Sequence, residues 1–326
     1  MVGTLGKLGV ASLAALAALS LANAAGAAES VTLRVGKAQA QPLDFTPVDV
    51  GVAQGFFKEH GLDIQVINFA GSAKLQQGLA ADAADIGLGS GPELAFIAKG
   101  APVLAIAAFA GAPYDLTIAA RMDLPIKSGA DLKGRKVGVS TVGGLTDWLV
   151  RELSRQQGWG TNGVDVVYLG SISAEVAGLR SKNVAAATQD VASALRLEEL
   201  GVAHAVVNFG HVVPHFIVHV TFATNKLIAQ HPDEVRGFNA GWFEAVRWMR
   251  SHEDETVKIV TPIMQKSPEI VAKTYDAVMP EFSDTGKFDP EALTVLQRSF
   301  VEMKTLPAKP DMSKLYTEKF LPGHTS

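Results

Sequence analysis

Hydroxyl, amide and carboxylate side chains recur in the turns that follow the predicted strands of this 326-residue chain. Three of these turns join glycine and serine directly ahead of a predicted helix, at residues 71–72, 89–91 and 140–144. Glycine lets a ligand approach the backbone closely, and the free N–H groups at a helix start attract negative charge. These turns predict a site for a carboxylate, sulfonate or phosphonate oxygen, with helix capping by the hydroxyls as the alternative.

The other candidate residues follow from the rule that ligands of open α/β sheets lie beyond the carboxyl ends of the strands. Phe45 and Tyr114 would supply apolar walls, and direct ligand contact is favoured for Ser140 and Thr141 because their loop carries two hydroxyls and two glycines. The predicted ligand-binding set is Gln41, Asp44, Phe45, Ser72, Ser90, Gly91, Tyr114, Ser140, Thr141, Gly143, Thr146, Gln189, Asp190 and His215. These loops contain aspartates but no arginine, so the predicted ligand is a small organic oxyanion with a second polar group, including a zwitterion.

Signals for catalysis are weak. The chain contains no cysteine, which excludes disulfides, thiolate nucleophiles and lipid attachment through an N-terminal cysteine. The segment 87–92 has Pro92 where a dinucleotide-binding loop needs its third glycine, and the chain has no G-x-S-x-G elbow. The sequence therefore predicts a protein that is not an enzyme and has no cofactor.

Three histidines are spaced by four residues, at His211, His215 and His219. On a helix this spacing would align them as metal ligands. Pro214 and the β-branched neighbours instead predict extended structure, in which four residues span about 13 Å, too far for one ion. The sequence therefore predicts no metal site here, although His215 could still face the ligand.

The first 28 residues have the composition of a secretory signal peptide. Lys7 precedes an uncharged apolar run over 8–21, and small residues follow over 22–28. The run of about fourteen residues is short for a membrane helix, and no later stretch reaches about 18 apolar residues. We expect a cleaved signal at 1–28, a mature N-terminus between Ala25 and Glu29, and a periplasmic protein; an uncleaved anchor is the alternative.

Strand and helix patterns alternate along the chain and then restart. Alternating or apolar runs predict strands at 31–35, 62–67 and 103–109, with a helix over 48–60. The alternation recurs over 116–209, and from Asn225 onward the pattern is helical, ending in a helix over 311–320. This order predicts an α/β protein with two lobes, each a mostly parallel sheet flanked by helices.

Three segments carry a family resemblance. They read GVAQGFFKEHGLDI at 51–64, ADIGLG at 84–89 and DLKGRKVGV at 131–139. In this order they resemble the NMT1/THI5-like and SsuA/TauA-like (nitrate, sulfonate and taurine type) substrate-binding proteins of ABC transporters. The resemblance implies a type II periplasmic-binding fold, with lobe I at 29–120 and 217–326, lobe II at 121–216, and hinges near 119–121 and 214–217.

The same resemblance implies a monomer that binds a small-molecule solute in the cleft between its lobes and delivers it to an ABC transporter permease in the inner membrane. A pyrimidine- or thiamine-precursor-binding protein of the same fold, or a periplasmic sensor subunit, are the alternatives. A THI5-type pyrimidine synthase is disfavoured, since that enzyme carries a cysteine-rich motif. The formal charge of −4 shows no basic excess that would indicate a nucleic-acid partner.

Overall fold

The computed structural model describes residues 30–69, 71–140 and 142–323. The predicted signal peptide with its cleavage site, and the candidate ligand-binding residue Thr141, lie outside these residues. Within the described part of the chain, no helix combines the length and apolar character needed to cross a membrane.

Within the described ranges, ten strands form two sheets. The strands are β1 (Val31–Lys37), β2 (Leu62–Asn68), β3 (Ile86–Ser90), β4 (Val103–Ala110), β5 (Leu116–Arg121), β6 (Lys136–Val139), β7 (Asp165–Tyr168), β8 (Ala186–Asp190), β9 (Ala203–Asn208) and β10 (His219–Thr224). The first sheet has the order β2-β1-β3-β10-β4, and the second has the order β7-β6-β8-β5-β9. The predicted pair of mostly parallel sheets is thus confirmed, with one antiparallel strand in each, β10 and β5.

Helices cover both sheets, as the sequence predicts. They are α1 (Pro47–Gln54), α2 (Phe56–Glu59), α3 (Ser72–Ala80), α4 (Leu94–Ala98), α5 (Leu145–Gln156), α6 (Ile172–Arg180), α7 (Val191–Glu199), α8 (Phe209–Val212), α9 (Asn225–Gln230), α10 (Pro232–Ser251), α11 (Glu253–Met264), α12 (Pro268–Val278) and α13 (Pro290–Glu302). The helix predicted over 48–60 is divided at Gly55, whose φ of 85° ends α1 and starts α2.

The helix predicted over 311–320 is wrong, since only the 3₁₀ turn Met312–Lys314 forms. Beyond this turn the backbone pairs with β4: Ala105 N–H donates to Leu315 O at 3.1 Å, and Thr317 N–H donates to Ala105 O at 2.9 Å. This pairing draws the chain out of helical geometry and covers an edge strand that would otherwise expose its hydrogen-bonding groups.

The chain crosses between the sheets twice, and the first crossing lies earlier than predicted. β5 pairs with β8 and β9, so residues 116–120 belong to the second sheet instead of to lobe I. The first crossing therefore lies between Ala110 and Leu116 rather than at 119–121. An apolar strand pattern does not reveal which sheet will take the strand. The second crossing, between Asn208 and His219, includes the predicted segment 214–217.

A further contact joins the lobes, between α5 on one side and α13 and Phe216 of the second crossing on the other. The Trp148 indole donates from Nε1 to Glu302 Oε2 at 2.6 Å, and its ring stacks on Phe216 with centroids 5.3 Å apart. Arg298 lies 3.3 Å from the buried Glu152 carboxylate. We refer to this set as the α5–α13 contact.

Candidate functional site

A cavity of about 320 Å³ lies between the two sheets, at the edge where the parallel strands end. This is where the topology of open α/β sheets places ligands. Both lobes and the crossings line it, through Gln39, Pro42, Asp44, Phe45, Ser72, Ser90, Asp115, Leu116, Ser140, Leu145, Thr146, Ile172, Thr188, Gln189, Asp190, Val218, His219 and Glu281. None of these described lining residues is lysine or arginine. We call this space the cleft.

Most of the predicted binding residues are brought together there. Eight of them line the cleft, namely Asp44, Phe45, Ser72, Ser90, Ser140, Thr146, Gln189 and Asp190. Gln41 lines an adjoining cavity of about 330 Å³, which also contains Lys266. Gly143 lies elsewhere, at a cavity of about 460 Å³ near the α5–α13 contact.

Gly91 and Tyr114 are not among the residues that line the cleft. A Cβ on Gly91 would lie 2.0 Å from the carbonyl oxygen of Ile217, so this glycine allows two backbone segments to touch. The Tyr114 ring packs edge-on against His211 and fills the space above Gly210. Both residues therefore have a packing role, and their contact with a ligand stays a prediction.

His215 is also outside the cleft lining. Its imidazole is half exposed and lies 3.3 Å from Asp289 and 3.6 Å from Glu291. His211 lies in α8 and His219 opens β10, so the three histidines occupy different elements.

Three titratable residues of the cleft were missed by the sequence analysis: Asp115, His219 and Glu281. Asp115 precedes β5 and His219 begins β10, which are the two antiparallel strands. Their amino ends therefore lie at the edge where the parallel strands have their carboxyl ends, and His219 pairs with Ser90. A search restricted to carboxyl ends could not find them, and the direction of a strand is not visible in its sequence.

Asp44, Asp115, His219 and Glu281 form a cluster of titratable side chains in the cleft, which we call the acidic floor. The exposed fractions of Asp44 and Glu281 are only 1% and 3%. Asp44 Oδ2 lies 3.7 Å from His219 Nε2, and the Asp115 backbone N–H donates to Glu281 Oε2 at 3.0 Å. Asp44, His219 and Glu281 each offer one ligand atom within 4.8 Å of the others, so they could hold a cation.

The acidic floor brings several carboxyl groups together in a buried place. Burial and the nearby charges of Asp44, Asp190 and Glu281 raise the pKa of Asp115 well above its usual value. Burial and the Asp44 charge raise the pKa of Glu281 in the same way, against hydrogen bonds from backbone N–H groups. A positive group entering the floor would relieve this repulsion.

Two of the three serines that line the cleft, Ser90 and Ser140, already use their hydroxyl protons as donors. Ser90 donates from its backbone N–H and its Oγ to Glu93 Oε1, at 2.8 and 3.1 Å, in a capping box. Ser140 Oγ donates to Glu175 Oε1 at 2.9 Å. Because each hydroxyl has one proton, both oxygens can only accept a further hydrogen bond. For Ser90 the capping alternative is thus the observed one.

Glu175 is a buried carboxylate behind the second-lobe wall of the cleft. Besides Ser140, its partners are Thr188 Oγ1 and Gln189 Nε2, each donating at 3.1 Å. Burial raises the pKa of Glu175 to about 7, opposed by these three hydrogen bonds and reinforced by the Asp190 charge. Gln189 keeps a buried Oε1 without a hydrogen-bond partner, which adds one more acceptor.

Residues 43–256 match the family model described as NMT1/THI5 like. The chain belongs to this family. Among curated proteins, a segment of 125 residues is 29% identical to the "Putative thiamine biosynthesis protein" of Haemophilus influenzae, covering 38% of this chain and 39% of that protein. The match thus spans about two fifths of the length of that relative.

Solved structures similar to this NMT1/THI5-like protein show the fold. The periplasmic aliphatic sulphonate binding protein SsuA from Escherichia coli superimposes with a TM-score of 0.74 at 19% identity, covering 88% of this chain and 92% of that one. A mutant of the enzyme DszB in complex with biphenyl-2-sulfinic acid gives 0.67 at 18% identity, covering 89% and 97%. The two-lobed periplasmic-binding fold is confirmed, and it occurs in binding proteins and in an enzyme.

Proposed function

We propose that this NMT1/THI5-like protein is the periplasmic solute-binding component of an ABC importer, which captures a small molecule in the cleft and presents it to a permease. The observation that carries this proposal is the cavity of about 320 Å³ bounded by both lobes at the strand ends. Its size suits a small organic molecule. The lobes are joined by two crossings, and closure about such hinges encloses the ligands of periplasmic binding proteins.

The solute is expected to carry N–H donors or positive charge. The described lining residues include four carboxylates and no lysine or arginine. Ser90 and Ser140 present acceptor oxygens, because their protons go to Glu93 and Glu175. A negative group on the solute that lies 4 Å from one ionised carboxylate would be repelled by about 4 kcal/mol at an effective dielectric constant of 20. The cleft therefore favours a cationic or donor-rich solute over the organic oxyanion with a second polar group that the sequence predicts.

A pyrimidine or thiamine-precursor ligand is the second candidate. Amino groups on a heterocycle would match the acceptors of the cleft, and the buried Phe45 ring lies in its wall. The name of the Haemophilus influenzae relative, a thiamine biosynthesis protein, is in accord with such a ligand.

A thermal-shift panel tests the proposal. A ligand at 100 times its dissociation constant stabilises the folded state by about 2.7 kcal/mol, which raises the melting temperature by several degrees. The panel contains amines, aminopyrimidines, sulfonates and carboxylates, and mass spectrometry identifies molecules that copurify with the protein. We expect shifts with the first two classes, lost in Asp44→Asn and retained in Asp289→Asn, whose side chain lies outside the cleft.

Shifts confined to sulfonates and carboxylates would overturn the assignment of charge while keeping the binding role. A protein that copurifies with no small molecule and responds to no class would contradict solute binding itself.

A further inference from the structure

The acidic floor contains a second feature, which extends the proposed solute-binding role and rests on it. We propose that Asp44, His219 and Glu281 bind one divalent transition-metal ion of the zinc type in the cleft. Their ligand atoms converge, two of their buried oxygens accept no hydrogen bond from the described residues, and the imidazole is held in place by aromatic rings.

The three side chains converge closely enough for one ion. Their potential ligand atoms lie within 4.8 Å of one another, and Asp44 Oδ2 lies 3.7 Å from His219 Nε2. Zinc bonds of about 2.0–2.2 Å place the ligand atoms of one ion about 3–4 Å apart. Small side-chain rotations would therefore bring the trio to bonding distance.

Two carboxylate oxygens of this trio, Asp44 Oδ1 and Glu281 Oε1, are buried and accept no hydrogen bond from the described residues. Burying a polar or charged group without a partner costs several kcal/mol, so both oxygens call for a ligand. Imidazole together with carboxylate oxygen suits zinc and its neighbours, whereas Ca²⁺ and Mg²⁺ prefer oxygen alone.

The His219 imidazole is fixed in place before any ligand arrives. Its ring stacks on Phe109, with centroids 5.6 Å apart and planes at 13°, and it meets Phe45 edge-on at 4.8 Å. A ring held on two sides loses little rotational freedom when it binds an ion. Such preorganisation is typical of a ligand rather than of a surface histidine.

All three ligands come from the first lobe. Asp44 lies in the 3₁₀ turn Leu43–Phe45, His219 opens β10, and Glu281 ends the turn Met279–Glu281. The ion would therefore bind before the lobes close. It would neutralise two carboxylates and leave Asp115 and Asp190 facing the solute, so the preference for donor-bearing solutes would persist.

The test measures metal binding directly. Protein stripped with EDTA is dialysed against Zn²⁺, Mn²⁺ and Mg²⁺, and bound metal is counted by mass spectrometry; Co²⁺ gives a visible absorption band as a second readout. We expect one Zn²⁺ per chain. Loss of a residue that only hydrogen-bonds a metal ligand typically weakens metal affinity by 10–100-fold. Loss of a ligand itself, in Asp44→Asn or His219→Gln, should therefore weaken it by at least about 100-fold. His215→Gln, which alters an exposed histidine beside Asp289 and Glu291, is the matched control.

Circular dichroism melting establishes that each variant is folded. The metal site would be overturned if the wild type does not bind Zn²⁺. It would also be overturned if binding survives in both floor variants or disappears in His215→Gln. If amines or aminopyrimidines still bind in EDTA to a protein that takes no metal, the metal site fails while the solute-binding role stands. Failure of both metal and solutes would reject both proposals.

Discussion

Two buried glutamates occupy matching places behind the serines of the cleft. Glu93 accepts from Ser90 in the first lobe, and Glu175 accepts from Ser140 in the second. The exposed fractions of the two glutamates are 2% and 0%, so neither touches solvent. Because these two serines donate their protons to the glutamates, their oxygens can only accept hydrogen bonds from a bound solute. Ser90 and Ser140 therefore favour a solute with N–H or O–H donors. The sequence identified both serines correctly as cleft residues but not the direction of their hydrogen bonds.

The raised pKa of Glu175 predicts a pH-dependent stability. Its pKa is about 7 in the folded protein against an ordinary value of 4.5, so the folded state binds the proton more tightly. Stability contributed by this group is present below about pH 4.5 and lost as the pH rises to about 7. Since one unit of pKa corresponds to 1.36 kcal/mol, the change is about 3 kcal/mol.

Urea unfolding of the wild type and Glu175→Gln between pH 4.5 and 8 measures this effect. The variant should gain stability relative to the wild type by up to about 3 kcal/mol across that window, because a glutamine does not titrate. Glu59→Gln, at an exposed position, is the control and should run parallel to the wild type. Parallel curves for Glu175→Gln as well would show that Glu175 does not titrate in this range.

At the scale of elements, the junction of β3 with the second crossing depends on close backbone contact. The Gly91 N–H donates to Val218 O at 2.9 Å, and a Cβ at this position would lie 2.0 Å from Ile217 O. The contact fixes where β10 enters the first sheet, and with it the position of His219. Gly91, a predicted ligand-binding residue, thus positions a residue that lines the cleft.

We expect Gly91→Ala to destabilise the protein by about 1–3 kcal/mol or more, as overpacking in a tight site does. Denaturant unfolding measures the loss. The matched control is Gly111→Ala, whose Cβ would meet nothing nearer than 3.8 Å. Equal stability of the two variants would contradict the close approach at Gly91.

The elements show what the sequence can and cannot predict. Periodicity located the strands and most helices, because one face of each element is buried and the apolar pattern records it. Pairing is a property of two segments, so the pattern did not reveal that β5 joins the second sheet or that β5 and β10 run antiparallel. For the same reason Asp115 and His219 were missed, while the polar residues at the ends of parallel strands were found.

At the scale of the molecule, the α5–α13 contact holds the two lobes together at one side of the cleft. Trp148 contributes both a hydrogen bond to Glu302 and a stacked face to Phe216. Hydrogen bonds to charged groups contribute about 1.5–3 kcal/mol. This one bridges the lobes, so it favours the arrangement described above over a more open one.

Trp148→Phe should therefore shift the lobes toward opening while keeping the stacked ring. Losing the Trp148–Glu302 hydrogen bond, at about 1.5–3 kcal/mol, changes the equilibrium constant between the described and the more open arrangement by about tenfold or more. Small-angle scattering of the solute-free protein would show a larger radius of gyration. Trp248→Phe is the control, because Trp248 stacks on His252 within the first lobe. An unchanged radius in Trp148→Phe would mean that the contact does not govern opening.

The central position of β10 has a consequence for the order in which the molecule is built. β10 fills the gap between β3 and β4, yet it is synthesised only after the whole second sheet. The second sheet comes from one continuous stretch and can form as soon as that stretch is available. β1, β2 and β3 pair with one another and can form early, but β4 joins the first sheet only through β10. Such long-range pairing is slow to form, so in a nascent chain the first sheet would stay incomplete, with one edge of β3 open, until residues 219–224 have been synthesised.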